Sequence, residues 1–126
     1  MATNVSNFSE LKTAIEDSTT TEINVIGDIK YLSGGASVNT NKSSLVINFN
    51  NHTITDNNTL NFTDTIYVPS TTKTISVSVK NAVFSGRNYY GVIGVSGGNI
   101  NTTITLDNIN YTGPQFVYNK NGVTNI

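Results

Sequence analysis

The sequence predicts an all-β protein, a parallel β-helix in which strands stack in successive turns, with a short capping α-helix at its N-terminus. A phrase of twelve residues occurs three times without gaps, starting at Ser44, Thr74 and Asn101. Apolar residues fall at every second position within each copy. The copies follow one another at intervals of 30 and 27 residues, a spacing typical of stacked repeat architectures. These observations together favour a solenoid.

Each copy reads as a strand, a corner and a second short strand. In the second copy, Ile75, Val77 and Val79 alternate with Ser76 and Ser78, which is the period of a strand with one buried face. Between the copies there is no apolar pattern of helical period, so helical crossover connections are not predicted. The chain must therefore coil, and each turn lays a strand beside its equivalent in the turn before.

The corner of each copy carries an asparagine, namely Asn51, Asn81 and Asn108. Asparagine tolerates left-handed backbone angles, and its side-chain amide can hydrogen-bond to an identical amide above and below. We therefore predict a structural ladder of these three asparagines. Chance alignment is the alternative, because asparagine is abundant here, but the matching flanks of all three corners favour the ladder.

Residues 7–17 carry the helical pattern of this chain. Phe8, Leu11, Ala14 and Ile15 fall on one face. Asn7 is the predicted N-cap, and the glutamate three positions later is its return partner in a capping box. A helix placed before the first turn is expected to cover the open end of the coil and to shield its strand edge.

The rest of the chain follows in order from this helix. The first turn has Gly27-Asp28 in place of the asparagine corner, and residues 33–37 read as a loop. Pro69 is expected to end the strand before it, because proline cannot donate to a sheet. The predicted rungs lie at 22–32, 44–55, 73–86 and 101–113. Residues 59–68 are predicted to contain a third side of a rung, and 119–126 can begin another strand.

Composition excludes several classes of protein. The chain has 126 residues, enough for one domain, which we predict to span 1–126 as the N-terminal part of a longer solenoid. Charged residues make up 12% and the net charge is −1, so neither nucleic acid nor an anionic membrane is an expected partner. The absence of cysteine excludes a disulfide framework. No cap is predicted after the last rung, so this end is expected to continue or to associate end to end or edge to edge.

Four segments resemble a known family. They are Lys80–Gly91, Asp107–Gln115, Phe8–Ile15 and Ile23–Ile29, and they are similar to the pectate-lyase-like adhesive domain of Gram-positive bacterial surface proteins. The resemblance implies a right-handed parallel β-helix with an adhesive role. It also implies an extracellular position on a cell-wall-anchored protein, with the secretion signal and the anchor outside this chain. It supplies no established ligand site.

Catalytic chemistry is not predicted. Pectate lyases need clustered carboxylates to hold calcium, and no column of the aligned repeats stacks two carboxylates. A weaker alternative is that Asp56 and Asp64 converge through the turn between them to hold calcium, or that Arg87 acts as a general base. His52 is expected to be half-buried and hydrogen-bonded. Ice binding by Thr-x-Thr pairs is disfavoured because the pairs fall on opposite sides of the corner. No cofactor and no metal site are predicted.

Binding of sugars without catalysis needs exposed aromatic rings surrounded by amides and hydroxyls. In the aligned repeats Tyr90 matches Val117, so this column of residues is expected to point inward. The neighbouring tyrosines are then expected to point outward. The predicted ligand-binding residues are Arg87, Asn88, Tyr89, Gln115 and Tyr118. The predicted function is a non-enzymatic adhesin module that binds glycans or host glycoproteins or acts as a rigid display segment. The alternatives are a calcium-dependent polysaccharide lyase and a spacer without a ligand.

Overall fold

A computed structural model describes residues 2–30, 35–56, 66–86, 93–96, 99, 101–112, 117–119 and 123–126. Strands and one helix follow each other in this part of the chain. In order they are β1 (Thr3–Val5), α1 (Phe8–Glu16), β2 (Glu22–Val25), β3 (Ile29–Lys30), β4 (Ala36–Ser37), β5 (Ser44–Asn48), β6 (Thr53–Asp56), β7 (Ile66–Val68), β8 (Ile75–Gly86), β9 (Ile93–Val95), β10 (Thr102–Thr112), β11 (Val117–Asn119) and β12 (Val123–Asn125).

The strands form two sheets, and all pairings between the described strands are parallel. The first sheet has the order β1-β2-β5-β8-β10-β12, and β3 pairs with β6, which pairs with the second half of β8. The second sheet has the order β4-β7-β9-β11. From β2 to β12 the chain passes alternately between the sheets, and each return adds a strand beside the strand of the previous visit. The prediction of an all-β fold with one short N-terminal helix is confirmed.

Inward side chains of equivalent strands form apolar columns. In the first sheet, Ile23 pairs with Ile47, which pairs with Val79, which pairs with Leu106. All four are buried, from 0% to 9% exposed. Burial of one such side chain contributes about 1.5–3 kcal/mol, so these columns supply much of the stability of the stack.

The copy that starts at Ser44, which is the second rung, pairs with the next copy in a register that differs from the gap-free alignment of the sequence. After the corner, Ile54 pairs with Phe84 as aligned, but before it Ile47 pairs with Val79 rather than with Val77. The difference arises because the second rung contains a two-residue insertion at its corner. Asn50 and Asn51 both have positive φ, 51° and 67°, and the backbone N–H of the histidine that follows donates to the Phe49 carbonyl at 2.8 Å. Positive φ at both central residues is the geometry of a type I′ turn.

The second sheet contains two further departures from the prediction. Val117 pairs with Ile93 and not with Tyr90. The reason is that the segment joining β10 to β11 is shorter than the segment joining β8 to β9. Residues 33–37, predicted to be a loop, include the short strand β4, in which Ala36 is buried and pairs with Ile66. A strand of two residues is too short to show an alternating pattern in the sequence, so it is recognised only by the pairing of its buried alanine with β7.

Helix α1 has the predicted N-cap, Asn7, but the return bond of the predicted capping box is made to a different residue. The side-chain oxygen of Asn7 accepts a hydrogen bond from the backbone N–H of Glu10 at 2.9 Å. The Glu10 carboxylate, however, accepts from the N–H and hydroxyl of Ser6, at 2.9 and 2.8 Å, rather than from the Asn7 N–H. The predicted apolar face, from Phe8 to Ile15, is buried against the core. No helix among the described residues is both long and apolar enough to cross a membrane.

The C-terminal end of α1 is held by the loop that precedes β5. The ammonium group of Lys42, whose residue is only 5% exposed, donates to the carbonyls of Ala14 at 3.2 Å and Thr20 at 2.8 Å. The side-chain amide of Asn39 donates to the Glu16 carbonyl at 3.1 Å. Helix ends leave carbonyls without intrahelical partners. This loop satisfies them and fixes the helix across the end of the sheets.

Candidate functional site

The corner asparagines have the predicted backbone geometry, and their side chains are connected in a different order. Asn51, Asn81 and Asn108 have φ values of 67°, 57° and 56°. The amide of Asn108 donates to Asn81 Oδ1 at 2.9 Å, and the amide of Asn81 donates to Asn48 Oδ1 at 3.1 Å. Asn51 joins the corner through its backbone N–H, which donates to the Asn81 carbonyl at 2.7 Å. The amide ladder therefore runs Asn48–Asn81–Asn108, because the two-residue insertion displaces Asn51.

The single histidine of the chain lies beside this corner. His52 Nδ1 is 3.3 Å from Asp28 Oδ1, and the backbone N–H of Thr53 donates to the same oxygen at 2.9 Å. The Thr53 amide and then His52 lower the pKa of Asp28. His52 is half-buried, as expected from its place beside the buried Ala82 in the aligned repeats. These contacts join the first and second rungs and give His52 a structural role.

Carboxylates near the N-terminal helix form local hydrogen bonds rather than a cluster. Asp17 accepts from the hydroxyls and backbone N–H groups of Thr19 and Thr20 at 2.7–3.1 Å. These contacts, led by the Thr20 hydroxyl, lower the pKa of Asp17. Glu16 pairs with Lys12 at 2.7 Å, and this contact lowers the pKa of Glu16. In the described part of the chain, no group of three or more histidines and carboxylates is placed to hold a metal ion.

A surface groove of about 500 Å³ lies between β1 and α1. Asn4, Thr13 and Asp17 are among its lining residues, together with Glu10. Both carboxylates are already engaged, Asp17 by threonines and Glu10 by Ser6. Glu10 also accepts the backbone N–H of Ser6, the residue that follows β1.

The outward face of the first sheet carries files of small hydroxyl side chains. Ser76 pairs with Thr103, and Ser78 pairs with Thr105. All four are half-buried although they point away from the core, so they form an even surface. One strand separation is about 4.8 Å, and alternate residues of a strand are about 6.7 Å apart. These four hydroxyls are therefore regularly spaced on one part of a face that also carries the Lys80–Asp107 pair.

The outward face of the second sheet contains a different file, which we call the tyrosine column. It consists of Ser37, Tyr67, Gly94 and Tyr118, which occupy equivalent positions on β4, β7, β9 and β11. Tyr67 is half-buried, and Gly94 is buried although it has no side chain of its own. Atoms of neighbouring residues must therefore lie over Gly94.

The residues predicted from the sequence to bind a ligand lie mostly outside the described part of the structure. This holds for Arg87, Asn88, Tyr89 and Gln115, as it does for Asp64 of the carboxylate alternative. Tyr118 is in β11 with its backbone paired to Gly94, and its side chain is outside the description. The sequence analysis did not single out Tyr67. The signal was present, because Tyr67 lies between the inward residues Ile66 and Val68 and must therefore point outward.

The chain alternates between two sheets of parallel strands, an architecture that agrees with a pectate-lyase-like domain. Residues 2–118 match the family described as "Putative pectate lyase-like adhesive domain", and the chain belongs to this family. The recognition made from the sequence is thereby confirmed.

Two solved structures show the same fold. One is the serine-rich repeat protein (SRRP) of Lactobacillus reuteri 53608, with a TM-score of 0.78 and 24% identity over 97% of this chain. The other is the SRRP of L. reuteri 100-23, with a TM-score of 0.75 and 21% identity over 98% of this chain. The chain spans 39% and 35% of the lengths of these structures. Among curated proteins, no significant match was found.

Proposed function

We propose that this chain is a non-enzymatic adhesin module that binds glycans or host glycoproteins at the surface of a Gram-positive bacterium. The observation that carries the proposal is the chemistry of the two outward faces. One face presents serine and threonine hydroxyls beside the Lys80–Asp107 pair, and the other presents tyrosine; hydroxyls and aromatic rings are groups that bind sugars. Membership of an adhesive domain family and the likeness to the SRRP structures support it.

The proposal includes the finer architecture. Residues 1–126 form one domain, a right-handed parallel β-helix that is the first part of a longer solenoid on a wall-anchored protein. The alternation of the chain between two parallel sheets supports a coil. Parallel crossover connections are almost always right-handed, which supports the handedness.

The sequence-derived binding residues remain part of the proposal. They are Arg87, Asn88, Tyr89, Gln115 and Tyr118. The place of Tyr118 in the tyrosine column supports its inclusion. Neither nucleic acid nor membrane insertion is part of the proposed function, since the net charge is −1.

The proposal also includes association through the last rung. Phe84 and Ala82 are 2% exposed, whereas Tyr111 and Ile109, which pair with them on β10, are only partly buried. Phe84 and Tyr111 stack with ring centroids 5.2 Å apart. A further strand from another chain or from a later rung would complete the burial of this column.

The test is binding of the purified domain to an array of glycans and matrix glycoproteins, with calcium and with a chelator. We expect specific, calcium-independent binding. In parallel, pectin is incubated with the domain and calcium, and unsaturated oligosaccharide products are measured. Product release would establish a lyase and overturn the proposal, and an empty array with a folded sample would favour a spacer.

A further inference from the structure

We propose that the groove between β1 and α1 binds an extended, basic segment of a partner protein, which adds to β1 as a further strand of the first sheet. This inference goes beyond the proposed function, because it concerns a peptide rather than a glycan. Three features of the described residues carry it, namely an open strand edge, a groove beside that edge and the charge of the groove.

β1 is the edge strand of the first sheet, and β2 is its one partner among the described strands. The Val5 carbonyl accepts the backbone N–H of Ile26 at 2.8 Å, so the backbone of Val5 faces β2. In a parallel pair, the N–H and C=O of one residue point to the same neighbour, and those of the next residue point to the opposite side. The N–H and C=O of Asn4 therefore point away from β2 and form an open edge.

The groove gives another strand access to this edge. Its volume of about 500 Å³ lies within the range of about 300–1,000 Å³ that is usual for ligand pockets. Its lining includes the exposed residues Asn4 and Thr13 and the buried residues Val5 and Ala14. A strand placed here pairs with Asn4 on one side and contacts α1 on the other. This is how peptides extend a sheet at its edge.

The charge of the groove selects a basic partner. Among the described residues that line it, Glu10 and Asp17 are the charged ones, and both are acidic. Hydrogen bonds from Ser6 lower the pKa of Glu10, and those from Thr20 and Thr19 lower the pKa of Asp17. Both carboxylates are therefore ionised at neutral pH, and lysine or arginine side chains of a partner complement them.

The two carboxylates are held in place and still have an acceptor to offer. Each is fixed through one oxygen, Glu10 through Oε1 and Asp17 through Oδ2. Glu10 Oε2 and Asp17 Oδ1 accept no hydrogen bond from the described residues. The lysines of this region bind other groups, since Lys12 pairs with Glu16 and Lys42 donates to backbone carbonyls. The second oxygen of each carboxylate can therefore accept from an ammonium or guanidinium group of the partner.

The experiment titrates the isotope-labelled whole chain with three peptides that are acetylated and amidated at their ends. Thr-Lys-Val-Thr-Val-Lys-Thr is basic and favours a strand, and Thr-Glu-Val-Thr-Val-Glu-Thr has the opposite charge. Thr-Lys-Pro-Pro-Pro-Lys-Thr keeps the basic charge but lacks the central N–H groups. We expect the first peptide to bind and to slow hydrogen exchange of the Asn4 amide. The other two are expected to bind at least about tenfold more weakly.

Variants of the protein test the edge and the charge separately. Asn4→Pro removes the outward N–H, and proline is tolerated on an edge strand. It is expected to weaken binding of the basic peptide at least about tenfold. Glu10→Gln combined with Asp17→Asn removes both charges but keeps acceptor oxygens for the local hydrogen bonds, and is expected to weaken binding about fivefold. Asp107→Asn is the matched control, because this exposed carboxylate on β10 does not line the groove, and it should leave peptide binding unchanged.

Equal affinity for the basic peptide and either of the other two, or unchanged binding by folded Asn4→Pro, would overturn this inference. A wild-type dimer that dissociates in Asn4→Pro would also overturn it, because a second copy would then occupy the edge. Circular dichroism reports folding, and the peptide series on the wild type keeps the test decisive if Asn4→Pro is unfolded. Glycan binding by a domain that does not bind the basic peptide would overturn this inference and leave the proposed function intact.

Discussion

Replacement of Asn81 tests how strongly the asparagine ladder ties the rungs together. Its side chain donates to Asn48 at 3.1 Å and accepts from Asn108 at 2.9 Å, while its backbone holds a φ of 57°. Alanine removes both hydrogen bonds and adds the steric cost of a left-handed residue that carries Cβ. Glycine removes the same bonds but adopts the left-handed geometry without strain.

The magnitudes follow from these contacts. Two hydrogen bonds contribute about 0.5–1.5 kcal/mol each, and a left-handed alanine costs about 1–2 kcal/mol. Asn81→Ala should therefore lower the free energy of unfolding by about 2–5 kcal/mol. Asn81→Gly should lower it by about 1 kcal/mol less.

Urea denaturation followed by circular dichroism measures both variants. Asn110→Ala is the control, because Asn110 is exposed on the neighbouring strand and lacks a positive φ. It should change the free energy of unfolding by less than about 0.5 kcal/mol. The reasoning is refuted if Asn81→Ala is as stable as the wild type, or more stable than Asn81→Gly.

Three further predictions concern other polar groups of the fold. Thr102 is 1% exposed, and its hydroxyl lacks a hydrogen-bond partner among the described residues; Thr102→Val should raise the urea midpoint by an amount equivalent to about 1 kcal/mol, and a fall would contradict this. Lys42→Met leaves the carbonyls of Ala14 and Thr20 without their donor and should cost about 2–3 kcal/mol, whereas an unchanged midpoint would show that water replaces the ammonium. The lowered pKa of Asp17 means that its stabilising effect is present above the unfolded-state pKa of about 3.9 and is lost as pH falls. The Tm of the wild type should therefore fall more steeply below about pH 4 than that of Asp17→Asn, and equal slopes would contradict the assignment.

Much of the fold could be predicted from periodicity because the core consists of regular columns. The alternation of Ile75, Val77 and Val79 reports directly which residues face inward. The register of strand pairing was harder to predict from the sequence. Asn50 and Asn51 form an inserted turn, but in a chain rich in asparagine they look like any other pair, and the gap-free alignment passed over them.

The short strands and the candidate binding face were also difficult to predict from the sequence. Ala36–Ser37 is a strand because it pairs with β7, and two residues carry no period of their own. The outward position of Tyr67 was predictable from its buried neighbours, whereas the alignment of positions 67, 94 and 118 emerges only from the strand pairing. The binding roles of Arg87, Asn88 and the other sequence-derived residues stay predictions.

The measurement that tests the central claim most directly is binding of the whole chain to a glycan array with and without calcium. Lyase activity on pectin is measured on the same sample. The adhesive account predicts selective binding of glycans or glycoproteins in both conditions, with no unsaturated product. Calcium-dependent release of unsaturated oligosaccharide, or a folded protein that binds no glycan or glycoprotein, would contradict it.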